Sequence, residues 1–322
     1  MEKKLTVVIT TYNREQPLIE QLQSLERQGL YDKYKIIVSN NCSNYNVEES
    51  LKTALSPEFM DIVTVYNRKY NVGGDCNIAL SFQLVETEWM WLLSDDDITS
   101  PDSIKTVLED AEKYPDVCWL KYSISGGFKP FEDKRCDNLV DVFETCMPKN
   151  GHSHGEFVFM SNNVYNIPFI KKHIGDVLSL SMTCCPHDVA PMFAVKYEHQ
   201  QMMFRSFALT NYVAGRISYS LHYAYGNFLN IITTKFEFSE EEFKAYRNLI
   251  DFSPIVLLQV IFEIECKPIR HQYYLKFMAG YKWKNPFWKF LFRLIYYPLH
   301  ITNTTRQDIE NYEKVIKKIL RK

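Results

Sequence analysis

The sequence predicts an α/β fold: a mostly parallel, doubly wound sheet flanked by helices, followed by a helical C-terminal extension. Three observations predict it. Four short apolar runs recur at intervals of about 30 residues, each followed by a polar turn and an amphipathic stretch, which is the spacing of right-handed β-α units. The fourth run, Trp89-Met90-Trp91-Leu92-Leu93, ends abruptly in Ser94-Asp95-Asp96-Asp97. Beyond about residue 225 the pattern becomes helical throughout.

Taken in order, Leu5 to Thr10 is a buried strand by composition, broken by Thr11-Tyr12-Asn13-Arg14. A helix starts at Pro17, carries Leu18, Leu22 and Leu25 on one face, and stops at Gly29. Lys35 to Ser39 is a second strand running into Asn40-Asn41-Cys42-Ser43-Asn44. A helix with Val47, Leu51 and Leu55 follows, closed by Pro57. Ile62 to Tyr66 is a third strand, leading through Asn71 and the pair Gly73-Gly74 to a helix with Ile78, Phe82 and Val85. Trp89 to Leu93 is the fourth strand, its tryptophans read as core. After Pro101 a helix buries Ile104, Val107, Leu108 and Ala111, and Val117 to Lys121 is a further strand.

The second half is less regular. Gly126 to about Gly155 reads as a mobile loop with a short helix near Val140 to Cys146. Phe157 to Tyr165 reads as strand–turn–strand around Ser161-Asn162-Asn163, and Cys185-Pro186-His187-Asp188 opens a helix. Helical segments follow at Phe228–Thr233, Ser239–Leu249, Pro254–Glu265 and Ile269–Tyr281. These divide the chain into a catalytic region over 1–225 and a helical region over 226–322.

Composition bounds the function. A net charge of −2 gives nucleic-acid binding no electrostatic support. The eight cysteines are scattered without CxxC spacing and no secretory leader pattern opens the chain, so the expectation is reduced thiols in the cytoplasm. No run reaches the roughly 18 apolar residues of a transmembrane helix. Any membrane contact is then peripheral, on the cytoplasmic face of the inner membrane. Lys282 to His300 suits such a contact, because aromatics alternate there with Lys282, Lys284, Lys289 and Arg293. The alternative is a C-terminal helix docked on the core with a basic outer face.

The Asp95-Asp96-Asp97 cluster sits where open α/β sheets place ligands, beyond the C-terminal ends of the strands. Adjacent carboxylates favour a counter-charge, and a divalent cation shared with phosphate oxygens fits. A solvated acidic turn ahead of a helix is the plainer alternative, since Ser100-Pro101-Asp102 is a good helix-start signal. A dinucleotide oxidoreductase is excluded by the lack of GxGxxG after the first strand. A sugar nucleotidyltransferase is disfavoured because Thr11 to Arg14 is not a Gly-rich phosphate loop.

Four motifs together resemble family 2 glycosyltransferases: Val7-Val8-Ile9-Thr10-Thr11-Tyr12-Asn13-Arg14, Ile37-Val38-Ser39-Asn40-Asn41-Cys42-Ser43, Asn71-Val72-Gly73-Gly74 through Asn77, and Leu93-Ser94-Asp95-Asp96-Asp97. Their order and spacing match the family over roughly residues 4 to 125. The resemblance implies a GT-A fold of the bacterial surface-polysaccharide type and a nucleotide-diphosphate sugar donor, a UDP-sugar foremost. It places nucleotide-sugar binding in about 1–125 and the acceptor side in 126–225. Thr11, Tyr12, Asn13, Arg14 and Asn40 are then expected to border nucleobase and ribose, with Asn71, Gly73 and Asn77 completing the donor site. Asp95 and Asp96 face the ribose and the metal. Asp97 is the expected direct ligand of Mn2+ or Mg2+, with Asp95 beside it and His222 as a downstream ligand. The chemistry agrees, since a divalent cation stabilises charge developing on a nucleoside diphosphate leaving group.

Two positions depart from the family pattern. Asn40 stands where Asp is usual, and Cys76 where a basic residue often precedes Asn77. The diphosphate charge is then left to the metal, or to Arg68 or Lys69.

On the acceptor side, an inverting transfer needs a general base. The resemblance points to Asp188, with a helix-capping charge as the alternative role. Ser161-Asn162-Asn163 is either an acceptor or donor-sugar contact or an ordinary turn. His152 and His154 are candidate lid residues. Cys184, Cys185 and His187 have no second ligand pair with matching spacing, which argues against zinc. The expected activity is sugar transfer to a saccharide or lipid-linked saccharide; a non-catalytic nucleotide-sugar-binding scaffold is the alternative.

Overall fold

The computed structural model describes residues 3–126, 129–147, 155–181, 185–211 and 236–249, and toward the C-terminus 258, 261–262, 264, 267–280, 286–302, 304–305, 307–309 and 311. The chain divides into two compact units, Met1–Ile217 and Ser218–Lys322.

In the first unit, β1 (Leu5–Thr11), β2 (Tyr34–Asn40), β3 (Val63–Asn67) and β4 (Trp89–Ser94) pair in parallel, in the spatial order β3-β2-β1-β4. Val7, Val8 and Ile9 are all fully buried, as are Trp91, Leu92 and Leu93. Consecutive buried residues mean both faces are covered, which is why these strands read as continuous apolar runs rather than alternating ones. Thr11 lies opposite Asn40, Asn40 opposite Asn67, and Thr10 opposite Ser94, so the polar ends of four strands line one edge.

The helices between these strands follow from their punctuation. α1 (Glu15–Glu26) buries Leu18, Leu22 and Leu25, and Gly29 takes the turn beyond it at φ +67°. α2 (Val47–Ala54) is capped by Asn46, whose side chain accepts from the Glu49 amide. The sequence has Pro57 closing this helix, but it does not. It opens the next one, α3 (Pro57–Met60), behind the Ser56 cap, because its fixed φ and missing N–H suit the first helical turn. α4 (Gly74–Ser81) follows β3, and α5 (Ser103–Lys113) follows the acidic turn.

The sheet then continues in mixed sense. β5 (Ile98–Thr99), β6 (Val117–Ser125), β7 (Lys134–Cys136), β8 (Asn163–Asn166) and β9 (Gln201–Asn211) extend it as β4-β8-β6-β9-β5, with β7 on β9. β8 runs antiparallel between β4 and β6. β9 has no counterpart in the sequence reading, because Arg205 and Ser206 interrupt its apolar pattern where its register against β6 shifts. The described part of the 126–155 stretch is not loose. It holds β7 and α6 (Leu139–Thr145), Asp133 pairs with Arg205, and the Arg135 guanidinium grips Asp116.

The strand–turn–strand expected over Phe157–Tyr165 is also corrected. The segment is α7 (Gly155–Val158), a 3-10 turn over Met160–Asn162, and then β8. The asparagines make this turn: Asn163 Nδ2 donates to the carbonyls of Phe159 (2.7 Å) and Met160 (3.0 Å), and Asn162 Nδ2 to that of Tyr122 (2.8 Å). Such side-chain bonds offer the backbone an alternative to a strand ladder. α8 (Ile167–Ile170), α9 (Ile174–Ser179) and α10 (Pro186–Glu198) complete the unit.

The second unit contains helices at Glu240–Leu249, Lys267–Gly280 and Pro286–Ile301. The first starts in a reciprocal cap, with the Ser239 amide donating to Glu242 Oε2 (2.7 Å) and the Glu242 amide to Ser239 Oγ (3.2 Å). The expected helix at Phe228–Thr233 lies outside the described residues, and that at Pro254–Glu265 is described only in part.

Candidate active site

The site is built on the polar edge formed by β1 to β4. At the end of β1, Asn13 adopts φ +53°, its amide donates to Ser43 Oγ (2.9 Å), and its side chain accepts from the Asn44 amide (2.8 Å). The turn after β1 is thereby joined to the loop after β2. Tyr12 is 43% exposed beside it, free to meet a planar ligand.

Asn40 explains one departure from the family pattern. Its amide donates to Asn67 Oδ1 (2.8 Å), and its Oδ1 accepts from the Ser43 amide (3.0 Å). An Asp could fill only the second role. Asn40 is buried and engaged at both ends, so it shapes the loop rather than offering a free group. Asn41 continues the pattern: its Nδ2 donates to Asn71 Oδ1 (2.8 Å) and its Oδ1 accepts from the Val72 amide (3.0 Å). Asn71 Oδ1 also accepts from the Gly73 amide (2.8 Å), and Gly73 at φ +85° leads into α4.

Asn77 is buried under this edge. Its Oδ1 accepts from Ser39 Oγ (2.8 Å) and Arg68 Nε (2.5 Å), and its Nδ2 donates to the Ser39 carbonyl (2.9 Å). Arg68 therefore lies at the strand edge, held by neutral groups. Among the described residues it makes no ion pair, and burial lowers its pKa. That leaves one positive charge available for a ligand where Cys76 supplies none.

The acidic turn follows β4. Arg14 Nη1 bonds the Asp96 carboxylate and approaches Asp95 Oδ1 (3.4 Å). Asp95 is 4% exposed, and burial pushes its pKa up to about 6 despite the Thr11 hydroxyl and Arg14, both of which favour the charged form. Asp96 also accepts from Ser94 Oγ (2.5 Å). Asp97 accepts from the Ser161 hydroxyl, which in turn accepts the Ser94 amide (2.9 Å). The three carboxylates thus have different surroundings: Asp95 inward, Asp96 on the cation, Asp97 across to the turn before β8.

Among the described residues no three His, Cys, Asp or Glu side chains gather as a metal cage. Mg2+ and Mn2+ at nucleotide sites need only one or two protein carboxylates, with phosphate oxygens and water filling the rest. A partly buried carboxylate oriented by a hydroxyl, as Asp97 is by Ser161, fits that demand. His222 lies outside the described residues, as do His152, His154 and Cys184.

His187 and Asp188 open α10, and both are 2% exposed. His187 Nε2 donates to the Val158 carbonyl (3.1 Å) and lies 3.5 Å from Asp188 Oδ2. Burial lowers the His187 pKa and raises that of Asp188. No hydrogen bond reaches either Asp188 oxygen among the described residues. Asp75, in the first turn of α4, is near enough to favour protonation of His187, and Cys76 Sγ lies 3.6 Å from Ser181 Oγ. The start of α10 therefore lies near the start of α4, beside the polar sheet edge.

Lys121 is a residue the sequence reading treated only as a strand end. It is fully buried on β6 and donates to the Phe157 carbonyl (2.8 Å), Asn163 Oδ1 (2.8 Å) and Asn162 Oδ1 (3.2 Å). Its charge lowers the pKa of both His187 and Asp188. The available signal was a lysine closing the apolar run Val117–Leu120, where a solvated end is the ordinary expectation. Trp89 and Trp91 are core, as expected from sequence.

A parallel sheet half with an acidic turn at its polar edge, extended by strands in mixed sense, defines a glycosyltransferase of the GT-A fold. The profile described as glycosyl transferase family 2 matches residues 6–171, and the chain belongs to that family. Among curated proteins, none matches it by sequence. Similar solved structures include residues 1–349 of S. aureus TarS, at 16% identity and TM-score 0.54, covering 86% of this chain and 89% of that one. The same TarS fragment in complex with UDP-GlcNAc matches at 15% identity and TM-score 0.51, with the same coverage. The mannosyltransferase PcManGT from Pyrobaculum calidifontis, in complex with GDP-Man and Mn2+, matches at 11% identity and TM-score 0.52, covering 96% of this chain and 85% of that one.

Proposed function

We propose that this glycosyltransferase moves a sugar from a nucleotide-diphosphate donor, a UDP-sugar, to a hydroxyl of a saccharide or lipid-linked saccharide in surface-polysaccharide synthesis, with inversion and with a divalent cation. The observation that carries the reading is the convergence of Thr11–Arg14, Asn40–Asn41, Asn71–Gly73, Asn77 and Asp95–Asp97 on one sheet edge. The complexes of TarS with UDP-GlcNAc and of PcManGT with GDP-Man and Mn2+ share the fold and support a nucleotide-sugar donor.

Each residue has a stated part. The Thr11–Arg14 turn and the Asn40–Asn44 loop, bonded through Asn13, form the walls for base and ribose. Arg68, held by Asn77 and Ser39, answers phosphate charge. Asp97 would hold Mn2+ or Mg2+, which when bound supplies Lewis-acid stabilisation of the diphosphate leaving group. Acceptor oxygen attacks the anomeric carbon as the bond from that carbon to the diphosphate oxygen breaks, and Asp188 takes the hydroxyl proton. A desolvated carboxylate with a raised pKa is a stronger base than a solvated one, which suits that task.

The test is donor turnover across a panel of nucleotide sugars with Mn2+, Mg2+ or chelator. Cation-dependent hydrolysis or transfer from one donor is expected, and Asp97→Ala is expected to lose nearly all of it. Binding of no donor under any condition would favour a degenerate scaffold.

A further inference from the structure

The helix Pro286–Ile301 carries two separate apolar faces. One is used inside its own unit: Phe292 and Tyr296 are fully buried, and the Tyr296 ring stacks on Tyr274 of the helix Lys267–Gly280 with centroids 3.8 Å apart. On the other face, among the described residues, Phe290, Leu294 and Ile301 are 60%, 57% and 75% exposed, and Tyr297, which edges against Tyr274, is 40% exposed. At 3.6 residues per turn these four fall within an arc of about 60°. Large apolar side chains exposed singly are ordinary, but four aligned on one helix face form a patch that marks an interaction surface.

We propose that this face docks on the interface of an anionic lipid bilayer, with the helix lying in the membrane plane. The charge pattern favours that occupant. Residues 286–301 contain no Asp or Glu, and the exposed Lys289 and Arg293 stand one turn apart along one margin of the stripe. They sit where lipid phosphates meet a helix whose apolar face enters the acyl boundary. A second copy of the helix would bring cations without acids to answer them. A helix of 16 residues spans about 24 Å, short of the roughly 30 Å hydrocarbon core, and among the described residues no helix is long and apolar enough to cross a membrane. The inference is independent of the transfer chemistry.

The test is co-sedimentation of the full chain with vesicles of phosphatidylcholine alone and of a phosphatidylcholine–phosphatidylglycerol mixture. Binding is expected on the mixture and is expected to weaken with salt. Lys289→Gln and Arg293→Gln should each lower the partition about fivefold. Phe290→Ser with Leu294→Ser should abolish it while leaving the circular dichroism unchanged. If that pair disturbs folding, the two glutamine variants decide. No binding to the mixture, or binding indifferent to the glutamine variants and to salt, overturns the proposal. So does a self-associated species in sedimentation velocity that the serine pair dissolves while vesicles are ignored, since the occupant is then a second copy.

Discussion

The Ser161 hydroxyl donates to the Asp97 carboxylate while accepting the backbone amide of Ser94, so one buried serine ties the end of β4 to the turn before β8. Ser161→Ala removes both bonds. We expect a stability loss of about 1–3 kcal/mol in urea unfolding. We also expect the Mn2+ concentration for half-maximal turnover to rise about 10- to 100-fold, as when an outer-shell partner of a metal ligand is lost. An unchanged Mn2+ titration would remove Ser161 from any part in cation binding.

Arg14 is the counter-charge for Asp95 and Asp96. Arg14→Ala leaves two neighbouring carboxylates facing one another, and nucleotide binding should weaken about tenfold, the scale of one charged hydrogen bond. Arg14→Lys should recover part of that affinity, since it restores the charge but not the guanidinium's fork of donors. Calorimetric titration with UDP reads both; equal affinity in wild type and Arg14→Ala would sink the assignment.

Asp95 makes stability depend on pH. Its folded pKa, about 6, lies above the ordinary 3.8, so the folded state holds a proton that the unfolded state has released. Stability therefore falls as pH rises from about 4 to about 6 and is level above, by at most about 3 kcal/mol from this group. Asp188, also raised, acts in the same direction. The difference between wild type and Asp95→Asn in unfolding free energy, measured across pH 4 to 7, isolates Asp95. A flat difference would contradict the burial effect.

Lys121→Met removes a buried cation from three oxygen acceptors. Leaving these neutral acceptors without their donor should cost about 1–3 kcal/mol. Because Lys121 holds the Asp188 pKa down, its loss should also move the acid limb of the kcat/KM profile to higher pH. A stability loss with an unmoved limb would make Lys121 purely structural, or Asp188 the wrong base.

Much of the fold was readable because β1 and β4, at the centre of its first half, are buried on both faces. Such strands must be written as unbroken apolar runs, and the turns between them as Gly, Pro, Asn and Ser. β1 to β4 and α1, α2, α4 and α5 follow from that pattern. β9 did not, because Arg205 inside it is satisfied by Asp110 at 2.9 Å, by Asp133 and by Tyr114, partners distant in sequence. The turn at Ser161-Asn162-Asn163 is where the sequence places it, but the segment before it is helical rather than a strand, and Asn162 is fixed there by a bond to Tyr122, 40 residues away.

Within the site, residue types and strand positions were determined by the sequence alone. Polar ends on four parallel strands must meet on one edge, and Asp95-Asp96-Asp97 had to lie there. Only the tertiary structure decided what each group is free to do. Asn40 is consumed by Asn67 and Ser43, Arg68 is held ready by Asn77, and Lys121 is a buried cation beside Asp188 rather than a solvated strand end. The physical reason is that a side chain's charge state and availability depend on desolvation and on partners tens of residues away, and the chain brings those together only when it folds.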